Sequence, residues 1–210
     1  MTDPLIWGLV PAAYVLGSIS PAWCAGRIKG MDLRQHGSGN LGATNAGRVL
    51  GGQWFAIVFG ADVLKGALPV IAAHLLPCDE AHRPWLLLAA GAAVVLGHVF
   101  TCFHGFKGGK AVATSLGLLA ALVWPVALAS LLVWLLAWTI GWKAFGLGKA
   151  GSVGQASVLA ALATPAARLL LPGEPWSATQ APVTGFLILL SVLVIVKHKS
   201  NIEKLLKKTP

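Results

Sequence analysis

Charge is what this chain has least of. Of its 210 residues only 11% are Asp, Glu, Lys or Arg, and seven are acidic. A soluble domain carries about 25% charged residues, so a sizeable water-exposed domain is excluded. The scarcity of acids removes whole classes of chemistry as well. No pair of carboxylates is spaced for acid–base work, and there is no HEXXH or GXSXG run and no His-rich metal cluster. Cys24, Cys78 and Cys102 are scattered, without metal-ligand spacing, and imply no disulfide framework; they read as small buried residues. No Cys or Ser has the surroundings of an activated nucleophile. A reaction carried out here needs little acid–base help from the protein, or its reactants bring their own. Nothing demands a metal or a cofactor.

What the chain has is apolar length. Hydrophobic residues make up 56% of it, and its mean hydropathy is +0.75. Six apolar stretches, at about 4–26, 53–76, 85–103, 111–142, 152–172 and 181–196, are bounded by polar breaks. The fold class is therefore an all-α integral membrane protein, organised as a single polytopic domain over 1–210. The fourth stretch is too long for one crossing. Trp124 and Pro125 near its middle predict two helices there, giving a compact bundle of about seven transmembrane helices. No basic residue precedes the first apolar run, which does not read as a cleaved signal peptide.

The formal net charge is +9, and its placement argues for anionic lipid rather than nucleic acid as partner. With the N-terminus outside, Arg27, Lys29, Arg34, Arg48, Lys107, Lys110, Lys143 and Lys149 all fall in cytoplasmic loops. The C-terminal tail is then cytoplasmic too, with Lys197, Lys199, Lys204, Lys207 and Lys208. Asp3, Asp79, Glu80 and Glu174 lie outside with Arg83, and Arg168 is expected to snorkel from an outer helix end.

Three polar clusters interrupt the apolar pattern. Gly37–Arg48 reads GSGNLGATNAGR. Its glycines permit tight turns and close approach to a ligand, and Ser38, Asn40, Thr44, Asn45 and Arg48 offer groups suited to phosphate oxygens. An ordinary glycine-rich turn followed by a helix cap is the alternative. GFKGGKAVAT, from Gly105 to Thr114, places Lys107, Gly108, Gly109 and Lys110 before an apolar helix, where backbone donors and lysines make an anion site. It is not a nucleotide-binding P-loop, because His104 stands where the first Gly belongs and Ala111 where Ser or Thr belongs. Basic flanking of a membrane helix is the alternative here. In the tail, His198 and Asn201 share a face if the last helix continues; a basic tail on the lipid surface explains the lysines alone. Asp62 and Lys65, three apart in the second stretch, read as a structural ion pair. His98 ends the third stretch, as a helix-end histidine or a site residue. In the seven-crossing arrangement all three loop clusters face the cytoplasm.

These runs carry a resemblance. YVLGSISPAW, MDLRQH, GSGNLGATNAGR, ADVLKG, GHVF, FKGGKAVAT and HKSNI, in this order over nearly the whole chain, resemble the bacterial acyl-phosphate:glycerol-3-phosphate acyltransferases. The resemblance implies a bacterial inner (cytoplasmic) membrane enzyme with its site open to the cytoplasm. It would move a fatty acyl group from acyl phosphate to glycerol-3-phosphate, giving lysophosphatidic acid, without a cofactor. Ser38, Asn40, Thr44, Asn45 and Arg48 would bind substrate, and Lys107, Gly108, Gly109 and Lys110 would cradle phosphate. His198 and Asn201 would position glycerol-3-phosphate, with Lys110 counted beside them among the catalytic groups. A phosphate oxygen of the donor is expected to take the hydroxyl proton, with His198 as the alternative base. Thr101 stands where the family usually has Pro, Ala111 where it has Gly, Gly154 where it has Ser, and KKTP where it has Gly and Glu. Two rivals from other classes are a small organic-phosphate transporter, suggested by Asp62 and Lys65, and a lipid-binding scaffold. The motifs specify no oligomeric state.

Overall fold

The computed structural model describes residues 4–206, and side chains through Glu203. Asp3 and the KKTP end lie outside those residues. The chain is all-helical and divides into two compact units, Met1–Leu122 and Val123–Pro210.

In the first unit a 3-10 turn, Pro4–Gly8, leads into α1 (Leu9–Ser18), followed by α2 (Pro21–Ile28). After a short 3-10 turn at Leu33–Gln35 come α3 (Ala43–Leu50), α4 (Gly52–Leu75) and α5 (Arg83–Val99). A 3-10 turn at Cys102–His104 and α6 (Val112–Leu122) complete it. The first apolar stretch is therefore two helices. Pro21 sits at the first position of α2, where its missing N–H costs nothing, and the Ser20 hydroxyl oxygen accepts from Trp23 N–H at 3.2 Å.

The break exposes carbonyls that distant side chains satisfy. Thr101 Oγ1–H donates to Ser18 O at 2.7 Å, and Lys65 Nζ donates to Ile19 O at 2.8 Å. Thr101 thus supplies a hydroxyl donor that a proline there would lack. α5 packs against α1, α4 and α6. Glycines set two of the helix contacts in this unit. A Cβ on Gly17 or Gly97 would run into the facing backbone of α5 or α1, and one on Gly66 or Gly117 into that of α6 or α4. Such close approach gives van der Waals contact that lipid cannot drive by hydrophobicity.

The second unit holds α7 (Trp124–Lys143), α8 (Lys149–Leu170), α9 (Ala181–Lys197) and α10 (Lys199–Leu206). The long fourth stretch leaves helical geometry at Val123, with Pro125 in the first turn of α7. Pro165 inside α8 removes one N–H, and the Ala161 carbonyl it leaves accepts the Ser191 hydroxyl of α9. Arg168 corrects an expectation. Its side chain does not snorkel; it is 7% exposed and donates to Gln180 Oε1 at 3.0 Å and Thr184 Oγ1 at 3.3 Å. The cysteines also differ from their reading, since Cys24 and Cys102 are exposed and Cys78 half-buried.

Five helical runs are long and apolar enough to cross a membrane: Pro4–Ile28, Gly52–Leu75, Arg83–His104, Trp124–Lys143 and Lys149–Leu170. Val112–Leu122 and Ala181–Lys197 are shorter apolar helices. At 1.5 Å per residue they reach ~17 Å and ~26 Å against a hydrocarbon core of about 30 Å.

Candidate active site

The first glycine loop is folded around one amide. Asn45, on α3 and 1% exposed, accepts the Ser38 N–H at 2.8 Å through Oδ1. Its Nδ2 donates to His36 O at 3.0 Å and Leu33 O at 3.1 Å. Leu33 and Leu41 pin the loop into an apolar cluster with Ala22, Ala25, Ala46 and Val58. Gly37, at φ +62°, lies so close to Asn45 that a Cβ would overlap its amide oxygen. Asn45 is among the expected substrate-binding groups, and its amide closes the loop, because buried polar atoms must find partners. Ser38 and Arg48 are exposed and Asn40 and Thr44 half-buried, with Arg48 Nη1 donating to Asn45 Oδ1 at 3.5 Å.

An ion pair precedes the loop. Arg34 Nε donates to Asp32 Oδ1 at 2.9 Å and Nη2 to Oδ2 at 2.5 Å, while Asp32 Oδ1 also accepts the Arg34 N–H at 3.0 Å. The Arg34 side-chain bonds, then its backbone N–H, hold the Asp32 carboxyl at about 2, below the ordinary 3.8. A depressed carboxyl pKa stabilises the fold above the unfolded value and loses that contribution as pH falls through the folded one. The Asp32 carboxyl resonance is therefore expected to titrate near 2, leaving the pair intact from pH 4 upward. Arg34→Ala should return its midpoint toward 3.8, which carboxyl-detected NMR measures.

The second loop folds back onto the end of α5. The N–H of Gly108 donates to Val99 O and that of Gly109 to His98 O, each at 3.0 Å. These are the two glycines expected to cradle phosphate, and here their N–H groups are bonded to protein. The last carbonyls of a helix lack partners in their own helix, and this loop supplies them. Glycine is required because a Cβ on Gly108 would overlap the His98 carbonyl, and one on Gly109 the His98 ring. Lys107 is exposed and Lys110 half-buried, so the lysines carry the loop's positive charge.

Ala111 follows at φ +60°, 1% exposed. This left-handed conformation costs an L-residue with a Cβ about 1–2 kcal/mol. Ala111→Gly is expected to raise stability by about 1 kcal/mol, read as a higher melting temperature in detergent.

Both loops adjoin α2. The His104 ring packs at a tilt against Trp23 with centroids 5.2 Å apart, Arg27 lies 5.4 Å above the Trp23 ring, and Thr101 holds the α1–α2 break. Sequence reasoning gave Trp23 and Thr101 no part in positioning the loops.

His198 and Asn201 belong to the second unit. The continuous helix that would put them on one face is interrupted, for α9 ends at Lys197 and α10 begins at Lys199. His198 lies at the junction, and its carbonyl accepts the Asn201 and Ile202 N–H groups at 2.8 and 3.0 Å. Its ring is 3% exposed with Nδ1 2.7 Å from Val194 O. A carbonyl only accepts, so the proton sits on Nδ1. Asn201 is half-buried, and a Cβ on Gly154 would overlap its Nδ2. Glycine at 154 therefore gives Asn201 its room. The nearby hydroxyls of Ser152 and Ser157 each donate to a carbonyl of their own helix at 2.8 Å. Among the described residues no group of three His, Cys, Asp or Glu side chains forms a metal-binding set.

Comparison with known proteins places this arrangement. The family model described as glycerol-3-phosphate acyltransferase matches residues 7–208. A relative of that name from Gloeobacter violaceus is 38% identical over 210 residues, covering 100% of this chain and 95% of its own. One from Aquifex aeolicus is 41% identical over 199 residues, covering 94% of each chain. Two crystal structures of PlsY (YgiH), an integral membrane glycerol 3-phosphate acyltransferase, are also similar. The glycerol 3-phosphate form has a TM-score of 0.80 at 37% identity, covering 96% of this chain and 92% of that one. The lysophosphatidic acid form has a TM-score of 0.78 at 36% identity with the same coverage. An all-helical chain with membrane-length helices and two glycine–basic loops on one unit, matched over nearly its whole length, belongs to the PlsY-type glycerol-3-phosphate acyltransferase family.

Proposed function

We propose that this chain transfers a fatty acyl group from an acyl phosphate to the sn-1 hydroxyl of glycerol-3-phosphate, releasing lysophosphatidic acid and inorganic phosphate. The observation that carries the donor assignment is the character of the two loops of the first unit. They present Arg48, Lys107 and Lys110 with the hydroxyls of Ser38 and Thr44 and the Asn40 amide, and no activated nucleophile. Such groups bind and orient anions. They suit a donor that already has a good leaving group.

In this reaction the glycerol oxygen attacks the acyl carbonyl carbon, the ester C–O bond forms, and the carbonyl–phosphate C–O bond breaks. The electron pair of that bond leaves with phosphate, and the hydroxyl proton goes to a phosphate oxygen. Lys110 and Lys107 offset the charge that gathers on the leaving group. Arg48, Ser38, Asn40 and Thr44 bind substrate, while Asn45, Gly108 and Gly109 hold the loops that present these groups. His198 and Asn201 act on glycerol-3-phosphate, an assignment supported by the HKSNI run.

The charge distribution along the chain supports about seven crossings with the N-terminus outside. The site then faces the cytoplasm of a bacterial inner membrane, and 1–210 is one enzyme. The charged pair that suggested transport is committed to protein partners, with Lys65 2.9 Å from Asp62 and bonded to Ile19 O.

The test supplies the purified protein with palmitoyl phosphate and glycerol-3-phosphate. One phosphate released per lysophosphatidic acid supports the proposal. No product, together with glycerol-3-phosphate uptake into proteoliposomes, overturns it in favour of transport.

A further inference from the structure

Beneath the Lys107–Lys110 loop lies a buried polar cluster that the reaction above does not use. Lys65 Nζ is 2.9 Å from Asp62 Oδ1, which is 3.4 Å from His98 Nδ1. The same Nδ1 lies 3.1 Å from Thr114 Oγ1. Asp62, Lys65, His98 and Thr114 are 2%, 5%, 7% and 0% exposed. Burying two charges is costly, and apolar packing of similar volume is often as stable. The cluster therefore calls for a reason beyond stability.

The reason lies in what is attached to it. The carbonyls of His98 and Val99 hold the loop between its two lysines, accepting the Gly109 and Gly108 N–H groups. The His98 ring packs so closely on Gly109 that no Cβ fits between them. Thr114, in the first turn of α6, ties the far end of the loop to the same imidazole. Lys65 joins this assembly to the Ile19 carbonyl at the α1–α2 break. His98, through its carbonyl and its ring, thus holds the middle and the far end of the segment that carries Lys107 and Lys110.

We propose that His98, held by Thr114 and the Asp62–Lys65 pair, is a positioning residue that sets Lys107 and Lys110 against the phosphate of an anionic substrate. This rests on the proposed function, in which those lysines meet phosphate. Thr114→Val removes the hydroxyl at nearly constant shape, Thr114→Ser keeps it, and Asp62→Asn removes the charge. Ser130→Ala is the comparator, since Ser130 Oγ makes an equally buried 3.0 Å bond to Thr164 in the second unit.

In the full-length protein in detergent, Thr114→Val and Asp62→Asn should raise KM for an anionic substrate about tenfold, with a smaller change in kcat. Amide exchange across 105–111 should quicken in both variants. Thr114→Ser should restore both readouts to wild-type values, and Ser130→Ala should leave both unchanged. The proposal is overturned if Thr114→Val lowers the melting temperature as Ser130→Ala does while KM and loop exchange stay at wild-type values. If wild-type protein makes no product from acyl phosphate, the functional reading has failed. Unaltered loop exchange in Thr114→Val would then also overturn the anchoring.

Discussion

Asn45→Asp is expected to abolish acyl transfer while leaving the membrane helices folded. The two side chains have the same shape, but Asp replaces a donor with an acceptor where Asn45 Nδ2 meets the carbonyls of Leu33 and His36. Three oxygens would then face one another in a buried site, and leaving such acceptors unpaired costs about 1–3 kcal/mol each. The loop from Leu33 to Gly42 would come away, taking Ser38 and Asn40 with it. A displacement of about 1 Å in a positioning element is enough to cost about a hundredfold in rate, and kcat/KM should fall by at least about that factor. Trypsin distinguishes this from loss of a substrate contact. Arg34 is paired with Asp32 on the exposed side of the loop, and its peptide bond should become cleavable in Asn45→Asp without any substrate present. An inactive variant with wild-type trypsin resistance would instead make Asn45 a direct ligand of substrate.

Gly108→Ala is the second large effect. Its Cβ would overlap the His98 carbonyl, a backbone atom that cannot move without α5. The loop must lift, breaking the Gly108–Val99 and Gly109–His98 bonds and displacing Lys107 and Lys110. We expect kcat/KM to fall about a hundredfold, with the loss of melting temperature confined to a few degrees because the helix contacts remain. Ala111→Gly, three residues away, should act in the opposite sense on stability. If Gly108→Ala kept wild-type activity, the lysines would not depend on the loop geometry described here. The assay is initial rates over a range of both substrates, with circular dichroism to verify helix content.

Helices were easier to read from the residues than roles. Pro125 marked the break between α6 and α7 because a proline in the first turn both permits a helix start and denies a donor to the helix before it. The break after Lys197 had no such marker. His198 is neither Gly nor Pro, and nothing in the local sequence pattern marks a stop there. The glycines at 108 and 109 show why a role is harder to read than a helix. A Gly–Gly pair between lysines before a helix matches an anion nest, yet the carbonyls that claim its donors belong to α5, nine and eleven residues earlier. Asn45 shows the same limit, since an amide in a glycine loop reads identically whether it grips a ligand or its own backbone. Asp62 and Lys65 were legible as a pair from their spacing. Their link to Thr114 through His98 joins α4, α5 and α6 and required the packed structure. Gly154, which reads as a missing hydroxyl, is the space occupied by Asn201.

The identity of the acyl donor is decided by rates with the two activated forms of one fatty acid. Purified protein with glycerol-3-phosphate is given palmitoyl phosphate in one reaction and palmitoyl-CoA in the other, and lysophosphatidic acid is followed in both. Product is expected from the acyl phosphate alone, and it should be lost in Arg48→Ala and Lys110→Ala. Equal kcat/KM from the thioester would contradict the donor assignment, because the loop cations would then not be serving a phosphate leaving group.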